Sequence, residues 1–171
     1  MKVYIYDRGQ KEITKLCEEV LIKNGFEISD EKYGCYYAVA PWCDRLIPDD
    51  ELRIFKGGVL IFHPSLLPIY RGKNAVKDAF KNGDKYTGVT WFWGASGYDK
   101  GDICEQAVLR INEITPSGFY YNQAVPAAIS LLEFICKDLS KGVIRSRPQI
   151  LTASLPKRLP NESISENGRK Y

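Results

Sequence analysis

Two short apolar runs without polar alternation constrain the fold of this chain more than any other feature. The runs Tyr36–Ala40 and Val59–Phe62 contain only aliphatic and aromatic residues, as is typical of strands that are covered on both faces of a sheet. A third β-rich run, Lys2–Tyr6, precedes a helical stripe of apolar residues that ends at Asn24-Gly25. Strand, helix and strand joined by short links predict an α/β fold with a doubly wound, mostly parallel sheet.

The remaining elements complete one domain. The pattern predicts two strands and two helices, over Tyr86–Trp93, Ile103–Ile111, Asn74–Lys81 and Ser117–Lys141. Pro126 lacks the N–H that its helical turn requires, so we expect a kink in the last helix there. Beyond Gly142 the prolines recur without apolar periodicity. We therefore expect a single domain over residues 1–145 and an extended basic tail over residues 146–171.

Charge and composition narrow the classes of function. The 171 residues carry a net charge of +3, and none of the five cysteines forms a C-x-x-C pair, which disfavours a zinc site. With a single histidine in the chain, no metal is expected. From Lys141 onward there are seven Lys or Arg and two Glu. These basic residues do not form the long run that is typical of RNA binding, so nucleic acid is not an expected partner. No apolar stretch approaches the roughly 18 residues of a membrane helix, and we expect a soluble, cytoplasmic protein.

Two polar residues follow predicted strands at positions where ligands often bind. His63 comes directly after Val59–Phe62 and begins the loop HPSLLPIYRG, and the carboxyl ends of parallel strands form the ligand sites of open α/β sheets. Asp99 lies in GASGYDKGDICEQ, where the glycines let the backbone approach a ligand closely. A carboxylate beside an imidazole can orient it for proton transfer. The alternatives are a structural histidine and a turn-forming aspartate.

Three linked motifs resemble those of a known enzyme family. The segments HPSLLPIYRG, NGDKYTGVTWF and YDKGDICEQ, in this order and spacing, are similar to the core of N10-formyltetrahydrofolate-dependent formyltransferases. That family includes glycinamide ribonucleotide transformylase, methionyl-tRNA formyltransferase and the sugar N-formyltransferases. The resemblance implies a Rossmann-like formyltransferase fold, N10-formyltetrahydrofolate as co-substrate, and transfer of its formyl group to a primary amine.

The resemblance also implies roles for individual residues. His63 would donate a charge-assisted hydrogen bond to the oxyanion that forms on the formyl group, and Asp99 would orient the imidazole and help to move the proton. The loop PWCDRLI would bind the folate, mostly through backbone groups. The implied folate-binding residues are Arg45, Leu46, Ile47, Gly97 and Tyr98, and the implied residues for the amine substrate are Tyr70, Arg71 and Asn74. For Asn74, a helix N-cap is the competing interpretation.

The chain departs from the family pattern in ways that leave three functions open. The family places an asparagine two residues before the histidine, where this chain has Ile61, and an isoleucine has no hydrogen-bond donor. The first turn, YDRGQKE, lacks a glycine-rich phosphate loop, and no tRNA-binding domain is recognised. A nucleotide-linked amino sugar is then the remaining small-molecule acceptor. The alternatives are a degenerate fold that binds folate or nucleotide without efficient transfer, and a formyltetrahydrofolate hydrolase.

Overall fold

The computed structural model describes residues 1–150; most of the predicted tail, residues 151–171, lies outside the described residues. The strands are β1 (Lys2–Ile5), β2 (Glu27–Ser29), β3 (Tyr37–Ala40), β4 (Gly58–His63), β5 (Tyr86–Trp93) and β6 (Ile103–Arg110). The helices are α1 (Glu12–Lys23), α2 (Asp49–Leu52), α3 (Ala75–Lys81), α4 (Pro116–Phe119) and α5 (Val125–Leu139), with a π-helical turn, Tyr120–Ala124, between the last two.

The six strands form one mixed sheet in the order β2-β1-β3-β4-β5-β6. The first four strands in this order run parallel to one another, whereas β5 is antiparallel to both β4 and β6. His63 is the last residue of β4 and lies opposite Thr90 of β5. The predicted α/β fold with a mostly parallel sheet is confirmed, and the change of direction after β4 places His63 at an edge where two loops meet.

Both faces of the sheet are covered, one by a large hydrophobic core and the other by a smaller cluster. On one face α1 and α5 pack against each other and against the strands. The core of this face contains the buried residues Val3, Val39, Leu60, Trp91, Cys17, Leu21, Leu132 and Ile135. On the other face a smaller cluster, centred on Ala38 and Val59, packs under Ile47 and Phe55 from the segment around α2. That segment lies on the same side as the loop that the sequence assigns to folate.

Two elements were not predicted, and one predicted helix is divided. The edge strand β2 has only three residues, and α2 only four, which is too short for a periodic pattern. The helix predicted from Ser117 to Lys141 consists of α4, the π-helical turn and α5. Pro126 is the second residue of α5, where its missing N–H is tolerated, and the π-helical turn directly before it replaces the simple kink.

The chain after α5 returns to the sheet. Backbone hydrogen bonds of 2.8 and 3.0 Å join Ile103 and Arg147 in an antiparallel bridge, and the Trp93 indole N–H donates to the Arg145 carbonyl at 2.7 Å. The predicted boundary at residue 145 stays a prediction, but the first residues of the expected tail lie along β6. Within residues 1–150, no helix is both long and apolar enough to span a membrane.

Candidate active site

The His63 side chain is buried and held in one orientation. Its residue exposure is 6%, and its Nε2 lies 2.7 Å from the backbone oxygen of Tyr70. A carbonyl oxygen can only accept a hydrogen bond, so Nε2 carries a proton and donates it to Tyr70. The other ring nitrogen, Nδ1, lies 3.5 Å from Asp99 Oδ2. The neutral imidazole therefore presents the unprotonated Nδ1 toward Asp99.

Asp99 is brought to His63 by a constrained loop. The Asp99 backbone has φ of 51°, and Gly97 has φ of 93°, a region that glycine enters without a Cβ penalty. A Cβ on Gly101 would lie 1.6 Å from the Trp93 carbonyl oxygen, so only glycine fits there. The Gly72 N–H donates to Asp99 Oδ2 at 2.6 Å. The carboxylate is thus fixed between the imidazole and a backbone donor.

Burial and the carboxylate act in opposite directions on the imidazole. Burial disfavours the charged form and lowers the pKa of His63 below its usual 6.5, while the nearby Asp99 carboxylate and the Tyr70 carbonyl raise it. Burial has the larger effect, so the pKa of His63 is lowered overall. At neutral pH the imidazole is consequently neutral and able to accept a proton at Nδ1.

His63 and Asp99 both line a cavity of about 480 Å³ at the carboxyl ends of β3 and β4. Its volume falls within the roughly 300–1,000 Å³ of small-molecule sites. The walls are largely apolar and aromatic, and include Trp42, Ile47, Ile61, Val76, Phe92, Tyr98 and Tyr120. Ile61 precedes His63 by two residues on β4, so both side chains are on one face of the strand. The position where the resemblance implies an asparagine therefore faces the cavity.

The loop after β3 supplies one wall of this cavity. Arg45, Leu46 and Ile47 line it, as do Gly97 and Tyr98 from the opposite loop. The Arg45 guanidinium is already paired within the protein, because two of its nitrogens donate to the carboxylate of Glu51 at 3.2 Å. The backbone N–H groups of the Arg45–Ile47 segment make no hydrogen bond to another described residue. This wall therefore offers free backbone donors beside a fixed side chain.

Comparison with known proteins identifies the family. The model of the formyl transferase family matches residues 18–128, more than half of the chain. The chain belongs to the formyl transferase family. Over 139 residues the chain is 42% identical to the cytosolic 10-formyltetrahydrofolate dehydrogenase of Xenopus laevis, an alignment that covers 79% of the chain and 14% of that relative. The chain thus spans a small part of the length of the curated relatives it matches.

Solved structures share the fold of this chain. HypX from Aquifex aeolicus, in complex with tetrahydrofolic acid, superposes with a TM-score of 0.75 at 23% identity, over 87% of the chain and 28% of HypX. The formyltransferase PseJ from Anoxybacillus kamchatkensis, in complex with UDP-4,6-dideoxy-4-formamido-L-AltNAc and tetrahydrofolate, has a TM-score of 0.74 at 20% identity. That superposition covers 90% of the chain and 84% of PseJ. At these identities the likeness concerns the fold.

Within the described residues, the three residues expected to contact the amine do not line the cavity. The Tyr70 hydroxyl donates to the Asp84 carboxylate and accepts from Asn82. Arg71 donates to the side chain of Gln149. Asn74 is exposed at the N-cap position of α3 but makes no capping hydrogen bond with its side chain. Substrate binding by these residues stays a prediction, and the neighbouring Gly72 and Lys73 contact the cavity instead.

Two residues of the site were missed from the sequence. Tyr120 lines the cavity from the π-helical turn, and its buried hydroxyl has no hydrogen-bond partner among the described residues. Burial raises the pKa of Tyr120, so the hydroxyl stays protonated and available as a donor. Gln149 contacts the loops of both candidate catalytic residues from the expected tail. Neither residue belongs to a motif, because each reaches the site only through the fold.

Proposed function

We propose that this chain binds N10-formyltetrahydrofolate in the cavity and transfers its formyl group to a primary amine, with His63 and Asp99 as the catalytic residues. The observation that carries the proposal is the fixed imidazole. The Tyr70 carbonyl accepts a hydrogen bond from Nε2–H, so the basic Nδ1 faces Asp99 at the cavity wall. A buried base beside a carboxylate, in a cavity of ligand size, is the arrangement that a proton-transfer step requires.

The cavity walls fit the chemistry of a folate. Its aromatic and aliphatic lining suits a flat heterocycle joined to a benzoyl group, and the free backbone N–H groups of Arg45–Ile47 suit the polar edge of that heterocycle. The loop is supported by Arg45 on Glu51 and by the buried Ile47. Gly97 and Tyr98 would close the opposite side. The complex of HypX with tetrahydrofolic acid, on a similar fold, supports this assignment.

The proposed chemistry moves one formyl group and one proton. The amine nitrogen attacks the formyl carbon, and His63 Nδ1 accepts the proton that the nitrogen loses. The resulting imidazolium is stabilised by the Asp99 carboxylate 3.5 Å away and can donate to the negatively charged formyl oxygen. The bond between the formyl carbon and N10 then breaks, and Nδ1 returns the proton to N10. One C–N bond forms, one breaks, and His63 ends as it began.

For the acceptor, we propose the amino group of a nucleotide-linked sugar. The solved structure of PseJ holds such a formylated sugar together with tetrahydrofolate, and the superposition covers most of both chains. In this chain Lys73 and Lys77 line the cavity and form no ion pair within the described residues. Two unpaired cations beside the cavity suit a pyrophosphate group.

A second candidate is hydrolysis of the formyl group by water, which needs no acceptor amine. Ile61 on the cavity wall beside His63 cannot donate a hydrogen bond to the oxyanion of either reaction. The Xenopus laevis relative is named a 10-formyltetrahydrofolate dehydrogenase rather than an amine transferase. With water as nucleophile the same His63 and Asp99 would act, and the product would be formate instead of a formamide.

One experiment tests both candidates. Purified full-length chain is incubated with N10-formyltetrahydrofolate alone and with a panel of amines that includes nucleotide-linked amino sugars, and tetrahydrofolate, formate and formamide are quantified. Formamide that depends on an amine supports transfer, whereas formate without an amine supports hydrolysis. If calorimetry detects binding of tetrahydrofolate but neither product forms, the result supports a protein that binds folate without transferring the formyl group. Absence of both binding and products would refute the proposal.

A further inference from the structure

Gln149 makes four hydrogen bonds that join two loops at the candidate active site. Its side-chain Nε2 donates to the backbone oxygens of Asp99 and Gly101 at 2.8 and 2.7 Å. Its Oε1 accepts from Nε and a terminal nitrogen of Arg71 at 3.2 and 2.6 Å. A primary amide has two N–H donors and one oxygen acceptor. Every polar group of this side chain is therefore used.

The two loops are the His63 loop (residues 64–72) and the Asp99 loop (residues 94–101). They are far apart in sequence, and Asp99 has a left-handed backbone. Between them the structure has the 2.6 Å hydrogen bond from Gly72 to the Asp99 carboxylate. The Gln149 bridge, defined as its four hydrogen bonds, adds a second connection through the backbone of Asp99 itself. Displacement of this backbone would move the carboxylate relative to His63.

The segment that carries Gln149 is itself attached to the sheet. Arg147 pairs with the backbone of Ile103 and donates to the Gln106 side chain at 2.8 Å. Ser146 donates to the Asp102 carboxylate at 2.8 Å. These contacts lie on β6 and just before it. The segment that carries Gln149 is therefore held against the edge of the sheet.

We propose that Gln149 is a positioning residue, which keeps the Asp99 carboxylate beside the His63 imidazole by bridging the two loops. It touches neither the cavity nor the reacting atoms and acts through Asp99 and Arg71. This gives Arg71 a role that differs from contact with an amine. The catalytic consequence rests on the proposed function, whereas the geometric consequence, the distance between His63 and Asp99, does not.

A titration separates positioning from general support of the fold. His63 is the only histidine of the chain, so a tag-free protein has one imidazole to follow by NMR. Asp99 is the charged group whose proximity raises the pKa of His63. If the Gln149 bridge holds Asp99 in place, its removal lowers the pKa of His63 in the direction that Asp99→Asn does. A purely structural residue would change the melting temperature without moving this pKa.

The test compares four variants of the full-length chain with wild type, and Asp99→Asn is the reference among them. Gln149→Ala removes the bridge, and Gln149→Leu removes its hydrogen bonds while keeping an uncharged side chain of similar size. Gln123→Ala is the matched control, because Gln123 also bonds a backbone oxygen and a backbone N–H but does not line the cavity.

Both Gln149 variants are expected to lower the pKa of His63, by less than Asp99→Asn does, and to reduce kcat by up to about 10²-fold, as a displacement near 1 Å does. The control should leave both values unchanged. A wild-type pKa of His63 in either folded Gln149 variant would overturn the proposal. If no formyl release is detectable in wild type, the proposed function fails, and the titration still decides the role of Gln149.

Discussion

Ile61→Asn is the substitution that bears most directly on what this chain does. Ile61 lines the cavity two residues before His63 on β4. An asparagine at this position would place an amide donor on the same cavity wall as the imidazole. We expect Ile61→Asn to increase transfer of the formyl group to an amine, because the amide can donate to the oxygen that becomes negatively charged.

Two quantities limit the effect of Ile61→Asn: the rate gained from one hydrogen-bond donor and the stability lost from the isoleucine side chain. One donor to a developing oxyanion contributes about 2.7–4 kcal/mol, or 10²–10³ in rate, which sets the upper bound. Full burial of an isoleucine contributes about 1.5–3 kcal/mol, and Ile61 is only partly buried. We therefore expect a loss of about 1 kcal/mol in the free energy of unfolding, or roughly 2–4 °C in Tm for a chain of this size. The amide faces the cavity, so water can satisfy it before substrate binds.

The assay measures formyl release from N10-formyltetrahydrofolate with and without an amine, normalised to the fraction of folded protein at each temperature. Ile61→Val is the matched control, because it disturbs the same packing without adding a donor. We expect Ile61→Val to keep the wild-type rate and Ile61→Asn to increase it. Combination with His63→Ala should abolish the gain.

Two results would refute this reasoning. A folded Ile61→Asn protein with wild-type rates and products for every amine would show that a donor at this position contributes nothing. A wild-type protein that already transfers at rates usual for enzymes would show that another donor acts on the oxyanion. In the second case Tyr120, which lines the cavity and whose buried hydroxyl has no hydrogen-bond partner among the described residues, is the first residue to substitute.

Three further predictions follow from the same geometry. His63→Ala should abolish formyl release while calorimetry gives near-wild-type affinity for tetrahydrofolate, because the loop around Arg45 binds it; loss of binding would contradict this. Because burial lowers the pKa of His63 below its usual 6.5 and the neutral imidazole is the base, kcat should rise with pH with a midpoint below 6.5, and Asp99→Asn should move the midpoint of the residual activity to lower pH; a shift to higher pH would count against the assigned roles. Burial raises the pKa of Glu51, but hydrogen bonds from Arg45 and Lys32 lower it by more, to about 2; since the unfolded carboxyl binds protons first, stability from this group is present above pH 4.5 and lost as pH falls toward 2, so thermal melts of Glu51→Gln should show a deficit at pH 7 that disappears below pH 2, and a deficit independent of pH would contradict it.

Much of the sheet could be predicted from local sequence. The apolar runs that became β3 and β4 have no polar alternation, and each is buried between two neighbouring strands. His63 could be singled out because it ends a predicted strand, and Asp99 because it lies in a glycine-flanked loop. The structure places His63 Nδ1 3.5 Å from Asp99 Oδ2. Their catalytic roles stay predictions, because position alone does not establish chemistry.

The rest could not be predicted, for physical reasons that differ between residues. Strand β2 has three residues at an edge of the sheet, and so few residues carry no period. The Tyr70 hydroxyl meets Asp84, and Arg71 meets Gln149, so polar side chains next to the motif are used inside the protein rather than toward a ligand. The contacts of Gln149 join residues 48, 50 and 78 positions apart. Such pairs are set by the path of the whole chain and have no local signature.

The late position of Gln149 has a consequence for the order in which the protein matures on the ribosome. Synthesis proceeds from the N-terminus, so all six strands, His63, Arg71 and Asp99 are made before the residue that bridges their loops. The nascent chain can thus complete its sheet while the two loops are joined by the hydrogen bond from Gly72 to Asp99 but not yet by the Gln149 bridge. Under the positioning role proposed for Gln149, the site reaches its final geometry only once the segment that carries this residue has paired with β6.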